Sequence, residues 1–333
     1  MPQGKLAQVL RGVLEQEDER LLVGPKTVDD AGVVRLDGED TGTALVQTVD
    51  YFPPVVDDPY YYGAIAAANA ISDVYAMGGR PHSALNLAGF PAEFSDEWME
   101  AIFRGGFDKV REAGAVLAGG HTVQADEVTF GYAVTGLIDQ AAVAANTGAR
   151  VGDRLYLTKA LGMGTMTTAA KVGKLDLADL RPAMEQMATL NGPAAEAMVA
   201  AGARACTDVT GFGLAGHGLN MASASGVALQ IEAAAVPLFP GAFELAAKGL
   251  CSGGAKRGRK SLLERVIWAA GLDETLVNIF FDAETSGGLL IAIKPELAAD
   301  LEQELGERGL PVNDIGEVVA MGGGADAPSV VFT

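Results

Sequence analysis

The chain has 333 residues and a formal net charge of −19 at pH 7, and 49% of its residues are hydrophobic. This negative charge argues against binding of nucleic acid through its backbone phosphates. It also means that any phosphate ligand needs metal ions that bridge it to the acidic side chains. No apolar run approaches the ~20 residues of a membrane helix, and the N-terminus has no signal-peptide pattern, which favours a soluble cytoplasmic protein with no membrane partner.

Strands and helices are predicted to alternate along the first half. An amphipathic helix with Leu6, Val9, Leu10, Val13 and Leu14 precedes a loop at residues 24–32 with two adjacent carboxylates. Strands are predicted at residues 33–36, 44–49, 83–90, 115–118 and 128–138, and helices at residues 64–77 and 96–113. The composition changes around residues 144–153, which predicts a domain boundary near residue 150.

The second half begins with a strand at residues 154–158 and continues the alternation. Further strands are predicted at residues 227–231, 289–293 and 314–319, with helices after Gly162 and at residues 180–201, 242–248 and 296–308. Residues 251–260, rich in glycine, lysine and arginine, are predicted to form a loop. The interleaving predicts an α/β or α+β fold with domains at residues 1–150 and 151–333.

The stretch at residues 47–79 is where the chemistry is organised. Asn69 and Asp73 lie four residues apart on an alanine-rich helix and therefore share one face. A carboxylate in such apolar surroundings needs a cation, yet residues 36–79 contain no Lys or Arg. Bound Mg²⁺ would satisfy it. The alternative, a solvated acidic loop before a core helix, suits Asp57 and Asp58 but suits Asp73 poorly.

Two glycine-rich stretches have the glycine spacing of phosphate-binding motifs but depart from those motifs in other respects. Gly211, Gly213 and Gly216 fit the G-x-G-x-x-G fingerprint, with Glu232 ending the next strand. Thr207, Asp208 and Thr210 before it would make a poor central strand, and the aspartate would repel a pyrophosphate. Residues 253–261 have the glycine spacing of a P-loop, but Arg259 shifts Lys260 out of register. A basic mobile loop that touches substrate phosphate is the favoured interpretation there.

A glycine pair after a buried strand is a further candidate. In the run Gly119-Gly120-His121-Thr122, the N–H groups of a turn can bind an anion, and His121 can serve either in binding or as a cap of the turn. Cys206 and Cys251 provide neither a disulfide framework nor a cysteine-based metal site. What remains is a set of separate aspartates of the kind that binds phosphates through Mg²⁺: Asp29, Asp30, Asp50, Asp73 and Asp208.

Seven stretches together resemble the selenophosphate synthetases, a branch of the aminoimidazole-ribonucleotide-synthetase-like superfamily. They are DDAGVVRL, ALVQTVDYFPPVVDDP, IAAANAISDVYAMGGRP, AGAVLAGGHT, YAVTGL, ACTDVTGFGLAGHG and ETSGGLLIA, in family order over nearly the whole chain. The resemblance implies that ATP, selenide and water yield selenophosphate, AMP and phosphate, with Mg²⁺. It also implies a homodimer built on the N-terminal sheet domain, followed by a C-terminal α/β domain.

The resemblance also implies roles for particular residues. The carboxylates of Asp30, Asp50, Asp73 and Asp208 match the metal site of the family. The implied nucleotide contacts are Thr27, Val28, Asp29, Asp50, Asp73, Gly120, His121 and Thr122.

One departure concerns catalysis. The family has a Gly-rich N-terminal segment with a Cys, or selenocysteine, and a Lys three residues later, and here the helix at Leu6 matches the segment just after that Lys. The pair would therefore precede Met1, and Lys5 is a weaker substitute. In the basic loop, Arg257 fits the family but Gly258 stands where an Asn is usual. Two alternatives remain: an ATP–Mg²⁺-binding homologue without synthesis, and a kinase or ligase of the same superfamily.

Overall fold

The computed structural model describes residues 18–25, 28–36, 42–323, 327 and 329–333. The predicted first helix, Thr27 and the acidic residues 37–40 therefore lie outside the described residues. The described part contains two β-sheets, and helices pack against both.

The first sheet has six strands in the order β1-β2-β3-β6-β4-β5. They are β1 (Leu21–Val23), β2 (Gly32–Arg35), β3 (Thr43–Phe52), β4 (Arg80–Phe90), β5 (Val116–Gln124) and β6 (Thr129–Asp139). Strands β4 and β5 pair in parallel, and the other neighbours pair in antiparallel fashion. The pairing of β3 with β6 places Asp50 opposite Tyr132.

Two helices, α1 (Pro59–Ala76) and α2 (Asp96–Glu112), cover one face of this sheet. Helix α1 begins after Asp58, whose side chain accepts a hydrogen bond from Tyr61 N. Residues 62–76 are all buried, because small side chains let the two helices approach closely. A Cβ added to Gly63 would lie 1.8 Å from Ile102 O. This packing holds Asn69 and Asp73 inside the protein, against β3.

The other face of the first sheet exposes apolar side chains. Val49 and Tyr51 on β3 are 53% and 62% exposed, and Leu85 on β4 is 48% exposed. Ala133 of β6 lies opposite both Val49 and Leu85. The exposed apolar surface is therefore continuous across three strands.

The second sheet has seven strands in the order β10-β13-β9-β12-β7-β11-β8. They are β7 (Arg154–Leu157), β8 (Ala205–Asp208), β9 (Ala228–Ile231), β10 (Val266–Trp268), β11 (Leu289–Ile293), β12 (Asp314–Val319) and β13 (Val330–Phe332). The helices of this half are α3 (Met163–Lys171), α4 (Leu177–Ala188), α5 (Gly192–Ala200), α6 (Gly213–Ser225), α7 (Ala242–Ala247), α8 (Gly253–Leu262), α9 (Glu274–Phe280) and α10 (Ala298–Glu307). Strand β8 is at the edge and pairs with β11, with Asp208 opposite Leu289.

The prediction of one helix at residues 180–201 is wrong, because the chain forms the separate helices α4 and α5. The break falls at Asn191, whose Nδ2 donates to Ser72 Oγ at 2.9 Å and to Gly287 O at 2.8 Å. Pro193 then lies in the first turn of α5, where its missing N–H costs nothing. Contacts distant in sequence therefore interrupt a helical pattern.

The prediction of a loop at residues 251–260 is also wrong, because most of this segment forms α8. Ser252 caps the helix by accepting a hydrogen bond from Gly254 N at 3.0 Å. Arg259 packs over the ring of Trp268 and forms an ion pair with Glu274. Capping and these contacts outweigh the low helix propensity of the glycines.

One further prediction fails because of strand pairing. Residues 119–122 are not a turn but part of β5, and β5 is an exposed edge strand that pairs with β4. The predicted turn with an anion-binding nest is therefore wrong. The segment before Gly211 contains β8, which lies at the edge of the second sheet, in agreement with the expectation that its sequence makes a poor central strand.

No helix in the part of the chain that the structure describes has both the length and the apolar character to cross a bilayer.

Candidate functional site

The four aspartates predicted as metal ligands converge where the two sheets meet. Asp30 precedes β2, Asp50 lies on β3, Asp73 lies on α1 and Asp208 ends β8. Asp73 and Asp208 are buried, with 8% and 1% of their surface exposed. The pKa of Asp73 is raised well above its usual range, first by burial and then by the charges of Asp208, Asp50 and Asp30. The four carboxylates are therefore close enough for the charges of the other three to raise the pKa of Asp73.

Three of these carboxylates accept hydrogen bonds from neutral donors. Thr207 Oγ1 donates to Asp30 Oδ1 at 2.8 Å, and Thr48 Oγ1 donates to Asp73 Oδ2 at 2.5 Å. Asn69 Nδ2 donates to Asp50 Oδ2 at 2.6 Å. Within the described ranges, none of the four aspartates forms an ion pair with Lys, Arg or His. The protein therefore orients these carboxylates with neutral donors and forms no ion pair with them in the described ranges.

Burial raises the pKa values of all four carboxylates, and the charges of neighbouring carboxylates raise those of Asp30, Asp73 and Asp208 further. Burial raises the pKa of Asp208 to about 6, while the Ser72 hydroxyl opposes the shift and the charge of Asp50 adds to it. The pKa of Asp30 is raised well above its usual range by burial and then by Asp208. The pKa of Asp50 is also raised by burial. Such a site favours either protons or an added cation.

Two carboxylate oxygens are buried without a hydrogen-bond partner among the described residues, Asp30 Oδ2 and Asp208 Oδ2. A buried polar atom left unpaired costs about 1–3 kcal/mol, and more when it is charged. No group of three or more His, Cys, Asp or Glu side chains in the described ranges is arranged to hold a metal ion by itself. Hard cations such as Mg²⁺ take oxygen ligands and commonly share them with phosphates and waters, so the donor set fits Mg²⁺ together with a phosphate ligand.

Lys159 brings a positive charge to this site that the local sequence pattern did not predict. It is buried just after β7, and its Nζ donates to Thr189 O at 2.7 Å and to Ser286 O at 2.9 Å. Burial lowers the pKa of Lys159 to about 7, and the charge of Asp208 opposes the shift. A lysine at the end of an apolar strand was the available signal, but only the fold shows that it lies near Asp208.

Asn69 and Ser286 join the two halves of the chain at the site. Asn69 donates to Asp50, and Asn69 Oδ1 accepts a hydrogen bond from Ser286 N at 2.9 Å. Asn191 extends the connection through Ser72 and Gly287. Residues 284–288, between α9 and β11, therefore touch the same helix that holds Asp73.

Two of the predicted nucleotide contacts lie on the approach to Asp30. Val28 has a φ of +52°, and its C=O accepts a hydrogen bond from Asn146 Nδ2 at 3.0 Å. Asp29 Oδ1 accepts a hydrogen bond from Asn146 N at 2.6 Å. Thr27 lies outside the described residues. Asn146, in the predicted link between domains, thus fixes the loop that leads to Asp30.

The structure does not bring the other predicted nucleotide contacts against the aspartates. Gly120, His121 and Thr122 lie on β5, and strand pairing places Gly120 in one row with Asn86, Tyr132 and Asp50. Three strand spacings separate Gly120 from Asp50, which is about 14 Å. A Cβ on Gly120 would lie 2.3 Å from Asn86 O, which accounts for the glycine.

Both halves of the chain match family models. The N-terminal domain of AIR synthase related proteins matches residues 28–138, and the C-terminal domain of the same proteins matches residues 150–326. The two matches include all four aspartates of the site.

Two proteins that are similar over nearly the full length of the chain are both named selenide, water dikinase. The chain is 48% identical over 316 residues to a selenide, water dikinase of Geobacter metallireducens, covering 94% of this chain and 91% of that protein. It is 48% identical over 303 residues to a selenide, water dikinase of Caldanaerobacter subterraneus, covering 91% and 87% of the two proteins.

Similar solved structures are more distant in sequence. One, "AaThiL complexed with AMPPCP and TMP", has a TM-score of 0.71 at 19% identity and covers 99% of this chain and 93% of that one. Another, of hydrogenase maturation protein HypE in complex with ATP, has a TM-score of 0.65 at 20% identity and covers 96% and 87%. At these identities the likeness concerns the fold alone.

Proposed function

The chain belongs to the selenide, water dikinase family, and from this premise we propose that the four aspartates of the site bind Mg²⁺ and ATP for the synthesis of selenophosphate. The reaction converts ATP, selenide and water to selenophosphate, AMP and phosphate. The observation that supports the site is the set of four neighbouring carboxylates, two of which have a buried oxygen with no hydrogen-bond partner among the described residues. The identity of 48% over most of the chain favours this reaction over that of another member of the superfamily.

The roles that we propose follow from the geometry. Asp30, Asp50, Asp73 and Asp208 would hold the metal, with Asp50 and Asp73 also facing the phosphates. Bound Mg²⁺ would supply positive charge to the carboxylates and to the phosphate oxygens. Asn69 orients Asp50, and Thr48 orients Asp73. Lys159 lies beside Asp208, and when it is protonated it would reduce the repulsion that an incoming anion meets.

We propose that the nucleotide extends from the aspartates toward two groups of residues. Thr27, Val28 and Asp29 would contact it beside Asp30. Gly120, His121 and Thr122 would contact it at the exposed edge of the first sheet, at a separation comparable to the length of an extended nucleotide.

Synthesis is tested by phosphorus NMR of ATP and selenide with the protein under anaerobic conditions. We expect a strong selenophosphate signal from wild type and little from Asp73→Asn, because the variant removes a carboxylate that we propose holds the metal.

An equally strong signal from Asp73→Asn would show that Asp73 is dispensable for synthesis and would contradict the proposed metal site. No selenophosphate from wild type, although it binds ATP, would favour an ATP–Mg²⁺-binding homologue without synthesis and would overturn the proposed function.

We also propose that the protein forms a homodimer through the exposed apolar face of the first sheet. In this proposal, residues 1–150 form the domain that dimerises and binds ATP, and residues 151–333 form the second domain. Val49→Asp should convert the dimer to a monomer in analytical ultracentrifugation, because it buries an unpaired charge in the interface. Val151→Asp is the matched control, since Val151 is 61% exposed in a turn outside that sheet. A monomeric wild type, or dissociation by both variants alike, would contradict this interface.

A further inference from the structure

Ser286 adopts a backbone conformation that serine rarely takes. Its φ is +51°, in the left-handed region that favours glycine. The chain on both sides fixes this conformation. Glu284 accepts hydrogen bonds from Gly162 N at 2.7 Å and from Met163 N at 3.0 Å. A Cβ on Gly287 would lie 2.0 Å from Val209 O, so the chain is also tightly packed after Ser286.

The backbone of Ser286 connects two elements of the aspartate site. Its N–H donates to Asn69 Oδ1 at 2.9 Å, and Asn69 in turn donates to Asp50. Its C=O accepts a hydrogen bond from Lys159 Nζ at 2.9 Å. Ser286 therefore lies between the residue that orients Asp50 and the cation beside Asp208.

The side chain of Ser286, in contrast, has no partner. The residue is 1% exposed, and its Oγ is buried without a hydrogen bond to any described residue. A buried unpaired hydroxyl destabilises the folded state, and so does a left-handed serine. Glycine would avoid both costs, so the hydroxyl makes no favourable contribution to the stability of the protein alone.

The chemistry of the site indicates what this hydroxyl binds. The neighbouring carboxylates are acceptors, and the nearby donors Thr48, Thr207 and Asn69 already bind them. Ser286 Oγ–H is a donor that remains unused. A bound phosphate brings acceptor oxygens and no donor of its own.

We propose that Ser286 Oγ donates a hydrogen bond to a phosphate oxygen of the bound nucleotide, which makes residues 284–288 a direct part of the phosphate site. This inference rests on the proposed function, because it requires that ATP binds at the four aspartates. It assigns a ligand contact to the second half of the chain in addition to Asp208.

The test is calorimetric titration of Mg²⁺–ATP into wild type, Ser286→Ala and Ser286→Gly, with the Tm of each ligand-free protein. Both variants should bind Mg²⁺–ATP about tenfold more weakly, the usual effect of losing one hydrogen bond to a charged group. Both should have a higher Tm than wild type without ligand. Ser286→Gly should have the highest, because it also relieves the left-handed backbone.

Ser329→Ala is the matched control. Ser329 is also fully buried, but its Oγ donates to Ala327 O at 3.0 Å and accepts from Arg265 Nη2 at 3.1 Å, next to β13. This variant should lose thermal stability and keep wild-type affinity for Mg²⁺–ATP. The opposite signs of the two Tm changes separate a ligand-binding hydroxyl from a structural one.

The outcomes distinguish this inference from the function on which it rests. If wild type binds Mg²⁺–ATP and both Ser286 variants bind it equally well, the inference is wrong and the proposed function stands. A lower Tm for Ser286→Ala with unchanged affinity would identify a structural hydroxyl and would also overturn it. If wild type itself shows no binding, both proposals fail.

Discussion

Replacing Asp73 with asparagine is expected to weaken Mg²⁺-dependent ATP binding by about 100-fold or more, because it removes a charged metal ligand. Loss of a residue that only supports a metal ligand already lowers metal affinity or activity by about 10- to 100-fold. The folded protein should be at least as stable as wild type without ligand. Asp73 is buried, its pKa is raised by burial and by three carboxylates, and its partner is the neutral Thr48 hydroxyl. The amide is nearly isosteric and can still accept that hydrogen bond.

Calorimetry with ATP, in the presence of Mg²⁺ and again with a chelator, measures this effect. Asp153→Asn is the matched control, because Asp153 is also buried but accepts a hydrogen bond from Arg150 N at 2.8 Å just before β7. It should bind ATP as wild type does. A large loss of Tm in Asp73→Asn with normal ATP affinity would show that Asp73 is structural. Equal wild-type affinity with and without chelator would remove the metal from the proposal.

Asp73 shows why part of this site could be predicted from the sequence. Its neighbours are alanines at helical spacing, so burial followed from composition, and the absence of nearby Lys or Arg indicated a missing cation. Asn69, one turn earlier, was expected on the same face. The structure has both side chains directed to β3, with Asn69 bound to Asp50 and Thr48 bound to Asp73. Local periodicity was sufficient because all the information lay within one helix and one strand.

Lys159 and Ser286 show what local periodicity cannot provide. Lys159 is near Asp208 only because β7 and β8 both pair with β11. Ser286 matters because of its φ and its unpaired hydroxyl, and neither property can be read from a serine between threonine and glycine. The failed predictions have the same cause, since α8 and β5 depend on a cap, on long-range side-chain contacts and on a strand partner. In each case a cap, a side-chain contact or a strand partner overrode local propensity.

The stability of the ligand-free protein is expected to fall as the pH rises from about 4 to about 6. The pKa of Asp208 is about 6 in the folded protein, against an ordinary value of 3.8. Between these two pH values the folded protein holds more protons than the unfolded chain, so the free energy of unfolding decreases with pH. The difference corresponds to about 3 kcal/mol. The raised pKa values of Asp30, Asp50 and Asp73 act in the same direction.

Thermal unfolding across this pH range, with and without Mg²⁺–ATP, measures the effect and separates it from ordinary acid denaturation. Asp208→Asn should unfold at a higher temperature than wild type at pH 7 without ligand and should show a smaller loss between pH 4 and pH 6, because the amide does not ionise. Saturating Mg²⁺–ATP should reverse the slope in wild type, since a metal binds deprotonated carboxylates. In Asp208→Asn the ligand should produce little change at any pH. If ligand-free wild type and Asp208→Asn lose stability equally over this range, Asp208 does not carry the raised pKa, and the electrostatic argument for a cation at this site fails with it.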